Sequence, residues 1–304
     1  MLYQSTRNKN LTADSVDAVL QGLAPDGGLY IADPGNCRPD WKQWLLLEPV
    51  QMSAAILNAL LPDYADLGQL TEESYRGKFE AADLTPLVRV EDRYVLELFH
   101  GPTCAFKDVA LSVLPRLVTA GRAQKQKTGE VVILTATSGD TGKAALEGFH
   151  DVDGTGILVF YPYQGTSPLQ ELQMTTQRGR NVKVCAVRGN FDDVQTAVKK
   201  IFARASEMEL HGQTLNSANS INIGRLVPQV AYYVWGYVKL VEQGVVKAGE
   251  PVNICVPTGN FGNILASYMA SLMGLPVKNF ICASNKNKVI TEFIETGIYN
   301  KKRE

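Results

Sequence analysis

EVVILTATSGDTGKAALEGFHDVDGTGILVFYP, residues 130–162, decides the fold. EVVIL is a short apolar run, TATSGDTG is rich in turn formers, KAALEGFH has helical spacing and GILVFYP is a second apolar run. That order reads as a strand, a crossover helix and a parallel strand. The alternation continues outward. RYVLELF precedes the stretch, NVKVCAVRG, VNICVP and KNFICAS follow it, and FDDVQTAVKKIFARASEM and RLVPQVAYYVWGYVKLVEQG read as helices. Apolar strands interleaved with amphipathic helices predict an α/β fold, with largely parallel sheets covered by helices on both faces. Ligands in such folds sit at the carboxyl ends of strands.

Residues 1–82 read differently. LTADSVDAVLQGL has helical spacing after a Thr12/Asp14 start signal, PDGGLYI is a turn into a short strand, and WKQWLLLEPVQMSAAILNALLP reads as helical. A mainly helical N-terminal region is predicted. The 304 residues, 45% of them hydrophobic, suffice for two domains of ordinary size with a substantial core. A net charge of −1 leaves no basic field for nucleic acid or an anionic membrane, and the terminal KKRE reads as solvated.

Cys37, Cys104, Cys185, Cys255 and Cys282 are widely spaced without a CxxC pair, and read as reduced core residues of a cytoplasmic protein. His100, His150 and His211 have no metal-ligand spacing, so no metal site is expected. No export signal opens the chain, and no run approaches the ~18 apolar residues of a membrane helix.

Three strand-to-helix junctions carry the functional signal. In VPTGNFGNILA, Thr258-Gly259-Asn260-Phe261-Gly262-Asn263 joins a strand to a helix. Its two glycines let backbone N–H groups converge on one point at a helix start, which suits a phosphate, although a plain tight turn explains it as well. It has neither GxGxxG nor GK[ST] spacing. TATSGDTGKAA offers the hydroxyls of Thr137, Ser138 and Thr141 and free N–H groups to a carboxylate or phosphate; simple capping by Ser138 and Asp140 is the alternative. A Walker loop is disfavoured, because Thr137 replaces its first glycine and Ala144 follows Lys143.

The third junction is ELFHGPTCAFKDVALSVLP, residues 97–115. If Thr103 caps a helix through Leu114, then Lys107, Leu111, Leu114 and Val118 share an apolar face, and Asp108, Ser112, Arg116 and Thr119 a polar one. A lysine on an apolar face commonly snorkels. Near a helix start, however, the macrodipole and desolvation both favour the neutral amine, the form that attacks a carbonyl. Beside two anion-ready junctions, Lys107 points to an aldehyde bearing a phosphate, such as pyridoxal phosphate, acting on an amino acid.

MLYQSTRN, LAPDGGLYIA, FHGPTCAFKD, TATSGDTGKAA, SINIGRLVPQ, PTGNFGN and ASNKNKVITEFIETGIY, in this order, resemble segments of threonine synthase, of the tryptophan-synthase-β-like group (fold type II). The resemblance spans nearly the whole chain. It implies two α/β lobes beside the N-terminal region 1–82: a large cofactor-binding lobe of 83–130 and 217–304, and a small lobe of 131–216. By that resemblance Lys107 is the Schiff-base lysine, and Gly259, Asn260, Phe261, Gly262 and Asn263 form the cofactor phosphate loop. Ser138, Gly139, Asp140, Thr141 and Gly142, with Thr137, hold the substrate carboxylate. Lys143 is a partner for the substrate phosphate, and Asn222, Arg225 and Gln229 line the pocket or serve only a helix start. His100 is a pocket or a turn residue.

Family members continue well beyond this C-terminus, so the resemblance implies a large lobe incomplete there. The implied reaction is pyridoxal-phosphate-dependent conversion of O-phospho-L-homoserine and water to L-threonine and phosphate, by a cytoplasmic monomer or homodimer. A serine/threonine dehydratase or an O-phosphohomoserine phospho-lyase shares nearly all of this machinery. An inactive relative is a further alternative, and a nucleotide-binding protein explains the glycine-rich junctions but not Lys107.

Overall fold

The structure, a computed structural model, describes residues 1–37, 41–205, 208, 210, 212–257, 261–286 and 289–299. Strands β1 (Tyr3–Ser5) and β2 (Thr12–Ala13) lead into helix α1 (Ser15–Gln21), where Asp14 accepts from Asp17 N–H. Strand β3 (Tyr30–Ile31) completes an antiparallel sheet ordered β2-β1-β3. The helix expected across 41–62 is two, α2 (Trp41–Trp44) and α3 (Pro49–Leu60). Pro49 has no N–H to continue a helix from Leu45 but suits a first turn, and Gln51 Oε1 accepts from Glu48 N–H at 3.1 Å. Helix α4 (Leu67–Tyr75) follows.

RYVLELF does not enter a parallel sheet. Strands β4 (Leu87–Val90) and β5 (Arg93–Leu96) pair antiparallel, from Leu87↔Leu96 to Val90↔Arg93, around Glu91 (φ +55°) and Asp92. A two-residue acidic turn between two apolar runs is a hairpin signal that outweighs the wider alternation.

Helix α5 (Asp108–Gln124) starts at Asp108, not from a Thr103 cap, and Lys107 is its N-cap. Asp108, expected on the polar face, is 2% exposed. Its carboxylate folds back to accept from Thr103 N–H (2.8 Å), Thr103 Oγ1 (2.5 Å) and Ala105 N–H (3.4 Å). The Gly101–Lys107 segment is thereby pinned outside the helix.

Strand β6 (Val131–Ala136), helix α6 (Asp140–Phe149), β7 (Thr155–Pro162), α7 (Pro168–Thr175), β8 (Val182–Val187), α8 (Phe191–Ala203) and β9 (Thr214–Ser217) build a four-stranded parallel sheet, β8-β7-β6-β9. The β6–β7 register runs from Val131↔Thr155 to Ala136↔Phe160. Alternation assigns the faces: Val131, Ile133, Ile157 and Val159 join the main core with Leu111, Leu114 and Leu146, whereas Leu134 and Ala136 pack with Val194 and Val198 of α8. Pro115 inside α5 cannot donate to Leu111 O, and Gly148 of α6 approaches that carbonyl so closely that a Cβ would stand 2.2 Å from the oxygen. The two helices are seated against each other there.

Residues 225–244, expected as one helix, fold as the end of α9 (Ile223–Leu226) and then α10 (Pro228–Glu242). Strands β10 (Val252–Pro257) and β11 (Val277–Ala283) form a parallel pair, with α11 (Gly262–Leu272) between them and α12 (Val289–Thr296) after. Cys104, Cys185 and Cys255 are exposed rather than core residues, whereas Cys37 and Cys282 are half-buried and pack against the main core; all five are unpaired. They lie on a loop, an edge strand and a two-stranded sheet that leave one face open. Among the described residues no helix is long and apolar enough to cross a membrane.

Candidate active site

Lys107 enters the site because Asp108 pins the preceding turn. Its side chain is 12% exposed, its Nζ donates to Asp140 Oδ2, and the amine stands 4.1 Å from the centre of the Phe106 ring. Burial lowers its pKa; Asp140 pulls it back up, and Arg225 adds to the lowering. The result is a desolvated amine at the head of α5, facing the head of α6.

The β6–α6 loop is organised from within. Gly139 has φ +150° and ψ −87°, open only to glycine. Thr137, 1% exposed, accepts from the N–H groups of Gly139 and Gly142, each at 2.9 Å, and Asp140 Oδ1 accepts from Thr141 N–H at 2.8 Å. Thr137 therefore braces the loop from beneath. Among the described residues, the loop's remaining donors are the N–H groups of Ser138 and Asp140 and the hydroxyls of Ser138 and Thr141. Lys143 turns along its own helix, donating to Glu147 Oε2 at 3.0 Å and to Gln177 Oε1.

Arg225 and Asn222 behave differently. Asn222, fully buried, is the N-cap of α9: its Oδ1 accepts from Gly224 N–H at 2.8 Å, while Nδ2 donates to Val19 O (3.0 Å) and Asn216 Oδ1 (2.9 Å). It ties α9 to α1. Among the described residues, Arg225, 1% exposed, has no hydrogen-bond partner for Nε or Nη1. Burial lowers its pKa to about 10, against the attraction of Tyr232, Asp140 and Asp108. Two buried, unsatisfied guanidinium donors among the groups that surround Lys107 are a costly arrangement without an anion.

At the third junction, Gly259 and Asn260 lie outside the described residues, as do Thr258 and His211. Phe261 is 41% exposed ahead of α11, and Gly262 opens the helix. Asn263 Oδ1 accepts from both Tyr232 and Tyr233 hydroxyls at 2.6 Å. Burial pushes both phenols up, so each stays a donor. Gln229 Oε1 lies 3.3 Å from the Tyr232 oxygen, and Gln229 Nε2 donates to Arg225 O at 2.8 Å, so polar contacts run from the α11 head to Arg225. The tyrosines were hidden in an apolar helix. His100 Nε2 lies 2.8 Å from Glu97 Oε2, with its ring stacked on Phe99 at 4.6 Å.

A buried amine at one helix start, an organised loop at a second and a glycine-opened third define an α/β protein of the tryptophan-synthase-β-like fold, fold type II. A family model described as threonine synthase N terminus matches residues 2–75. Threonine synthase-like 1 of Macaca fascicularis is 38% identical over 93% of this chain and 40% of its own. Among solved structures, PLP-bound threonine synthase from Brucella melitensis superposes with a TM-score of 0.86 at 37% identity, over 100% of this chain and 64% of that one. Threonine synthase from Escherichia coli superposes with the same TM-score, 0.86, at 35% identity, over 99% of this chain and 68% of that one. The chain belongs to the threonine synthase family, and spans 40% of the length of the threonine synthase-like relative it matches.

Proposed function

We propose that the protein is a pyridoxal-phosphate-dependent threonine synthase, converting O-phospho-L-homoserine and water to L-threonine and phosphate. The observation that carries this reading is the desolvated Lys107 amine beside Arg225, whose Nε and Nη1 have no partner among the described residues. The residues fit the cofactor. Lys107 would attach it, and Gly259, Asn260, Phe261, Gly262 and Asn263 would hold its phosphate, with Gly262 free of a Cβ that would press on Ser220 Oγ at 3.2 Å. Bound there, the cofactor supplies an electron sink that acidifies substrate C–H bonds.

The chain supplies the rest. Ser138, Gly139, Asp140, Thr141 and Gly142 hold the substrate carboxylate, over the brace of Thr137. Lys107 Nζ is placed to take and return protons at the substrate Cα and Cβ. Arg225 stabilises the charge that develops on the departing phosphate. Asn222 and Lys143 shape the wall on which Arg225 and the α6 head sit. The small lobe, 131–216, carries the carboxylate loop against a large lobe of 83–130 and 217–304, beside the helical region 1–82. Five unpaired cysteines support a reducing, cytoplasmic setting.

Replacing Lys107 with Ala is expected to abolish threonine formation while leaving circular dichroism unchanged. In the unaltered protein with added cofactor, borohydride should fix the label at Lys107. Multiple turnover by Lys107→Ala overturns the proposal, and phosphate release without threonine assigns a lyase instead.

A further inference from the structure

The carboxylate loop proposed above has turned three of its backbone donors inward. A carboxylate offers about four lone-pair directions, yet Gly139, Thr141 and Gly142 have already committed their N–H groups within the loop. Asp140 adds a negative charge there, only partly answered by Lys107. A neutral donor from another segment would add to the Ser138 and Asp140 N–H groups and the Ser138 and Thr141 hydroxyls that remain, without adding charge.

The adjacent junction supplies one. Because β6 and β7 are parallel neighbours, the loops that leave their carboxyl ends emerge side by side. Ser167 caps α7, accepting from Gln170 N–H at 3.3 Å, with Pro168 at the first helical position. The Gln170 amide lies against Gly139: a Cβ built there would stand 2.3 Å from Oε1, 2.4 Å from Cδ and 2.8 Å from Nε2. One turn on, fully buried Met174 packs against Gly142, where a Cβ would meet Sδ at 2.7 Å, and fixes the helix. Ser167 Oγ donates to Gln170 Oε1 at 3.2 Å, which leaves Nε2 as the end without a partner among the described residues. The unusual backbone of Gly139 therefore does more than turn the chain, since any side chain there would expel the amide.

We propose that Gln170 is a substrate-binding residue, whose Nε2 donates to the α-carboxylate at the 138–142 loop and makes the site select carboxylate-bearing ligands. This rests on the reading of 138–142 as the carboxylate loop. Neither the glycine-rich pattern nor Lys107 pointed to it, but a Ser-Pro helix start two residues after a strand-ending Tyr-Gln-Gly turn is a sequence feature that could have.

The test is calorimetric titration of the full chain, loaded with pyridoxal phosphate, with two ligands that cannot lose phosphate. One is 2-amino-5-phosphonopentanoate, and the other is 4-aminobutylphosphonate, the same molecule without its carboxylate. Gln170→Ala should weaken the first roughly tenfold, and Gln170→Glu more, as expected for loss of a hydrogen bond to a charged group. The second ligand should bind all three proteins within about twofold, and so doubles as the control for folding. Equal weakening of both ligands would reduce Gln170 to a structural residue, and unchanged binding of the carboxylate-bearing ligand would remove it from the site. Equal affinity of the unaltered protein for both ligands overturns the carboxylate selectivity, and binding of neither sinks the threonine synthase reading and this inference with it.

Discussion

Lys107 Nζ and Asp140 Oδ2, 33 residues apart in sequence, form an ion pair where the starts of α5 and α6 meet. The pair holds the amine in tension. Burial lowers the Lys107 pKa, while the charge and hydrogen bond of Asp140 raise it again. A donor that draws the Asp140 carboxylate away would weaken its pull on Lys107 and shift that balance toward the neutral amine.

Asp140→Asn removes the opposing charge but keeps the shape. The Lys107 pKa should then fall further, because both contributions from Asp140 raise it. The check is the rate of pyridoxal phosphate incorporation at Lys107, trapped by borohydride, as a function of pH. The midpoint is expected at lower pH in the variant than in the unaltered protein. An unmoved midpoint would show that Asp140 does not face the amine in solution.

What was legible in the sequence follows from the range of each interaction. The parallel strands β6 and β7 announce themselves as short continuous apolar runs because both faces of the sheet are covered: Val131 and Ile133 are buried on one, Leu134 and Ala136 on the other. β9 did not, since TLNS is short and polar and becomes a strand only by pairing with β6. The start of α5 was misplaced because periodicity carries no information about a carboxylate folding back, as Asp108 does onto Thr103. Lys107 could be singled out as an anomaly, but its partner could not, because the pairing depends on how two helices pack. Gln170 and Tyr232 were missed for the same reason: each acts on a segment distant in sequence.

Gly148 sets that packing. Pro115 leaves Leu111 O without its helical donor, and the bare Cα of Gly148 occupies the space beside it. Gly148→Ala should force α6 away from α5 and destabilise the protein by about 1–3 kcal/mol, the range for overpacking. It should also loosen the Lys107–Asp140 pair and shift the incorporation midpoint in the same direction as Asp140→Asn. Combined with Asp140→Asn, the two shifts should be less than additive. Full additivity would uncouple the helix contact from the ion pair.

Arg225 carries the opposite kind of consequence, since its burial costs stability that only a ligand returns. With Nε and Nη1 unpaired among the described residues, each buried donor forfeits hydration without a partner there, a penalty of about 1–3 kcal/mol per group. A pKa of about 10 keeps the side chain charged at neutral pH, so the penalty falls on the ion. The sign follows: folding depresses the pKa of a base, so this group opposes folding while charged, and the opposition fades as pH rises through about 10 toward 12.5. Arg225→Met should therefore melt higher than the unaltered protein without ligand, by a few degrees for a gain of about 1–3 kcal/mol. Millimolar inorganic phosphate should raise the melting temperature of the unaltered protein and leave the variant unchanged. A variant that melts lower without ligand, or that is still stabilised by phosphate, would assign Arg225 to the core and the anion to another cation.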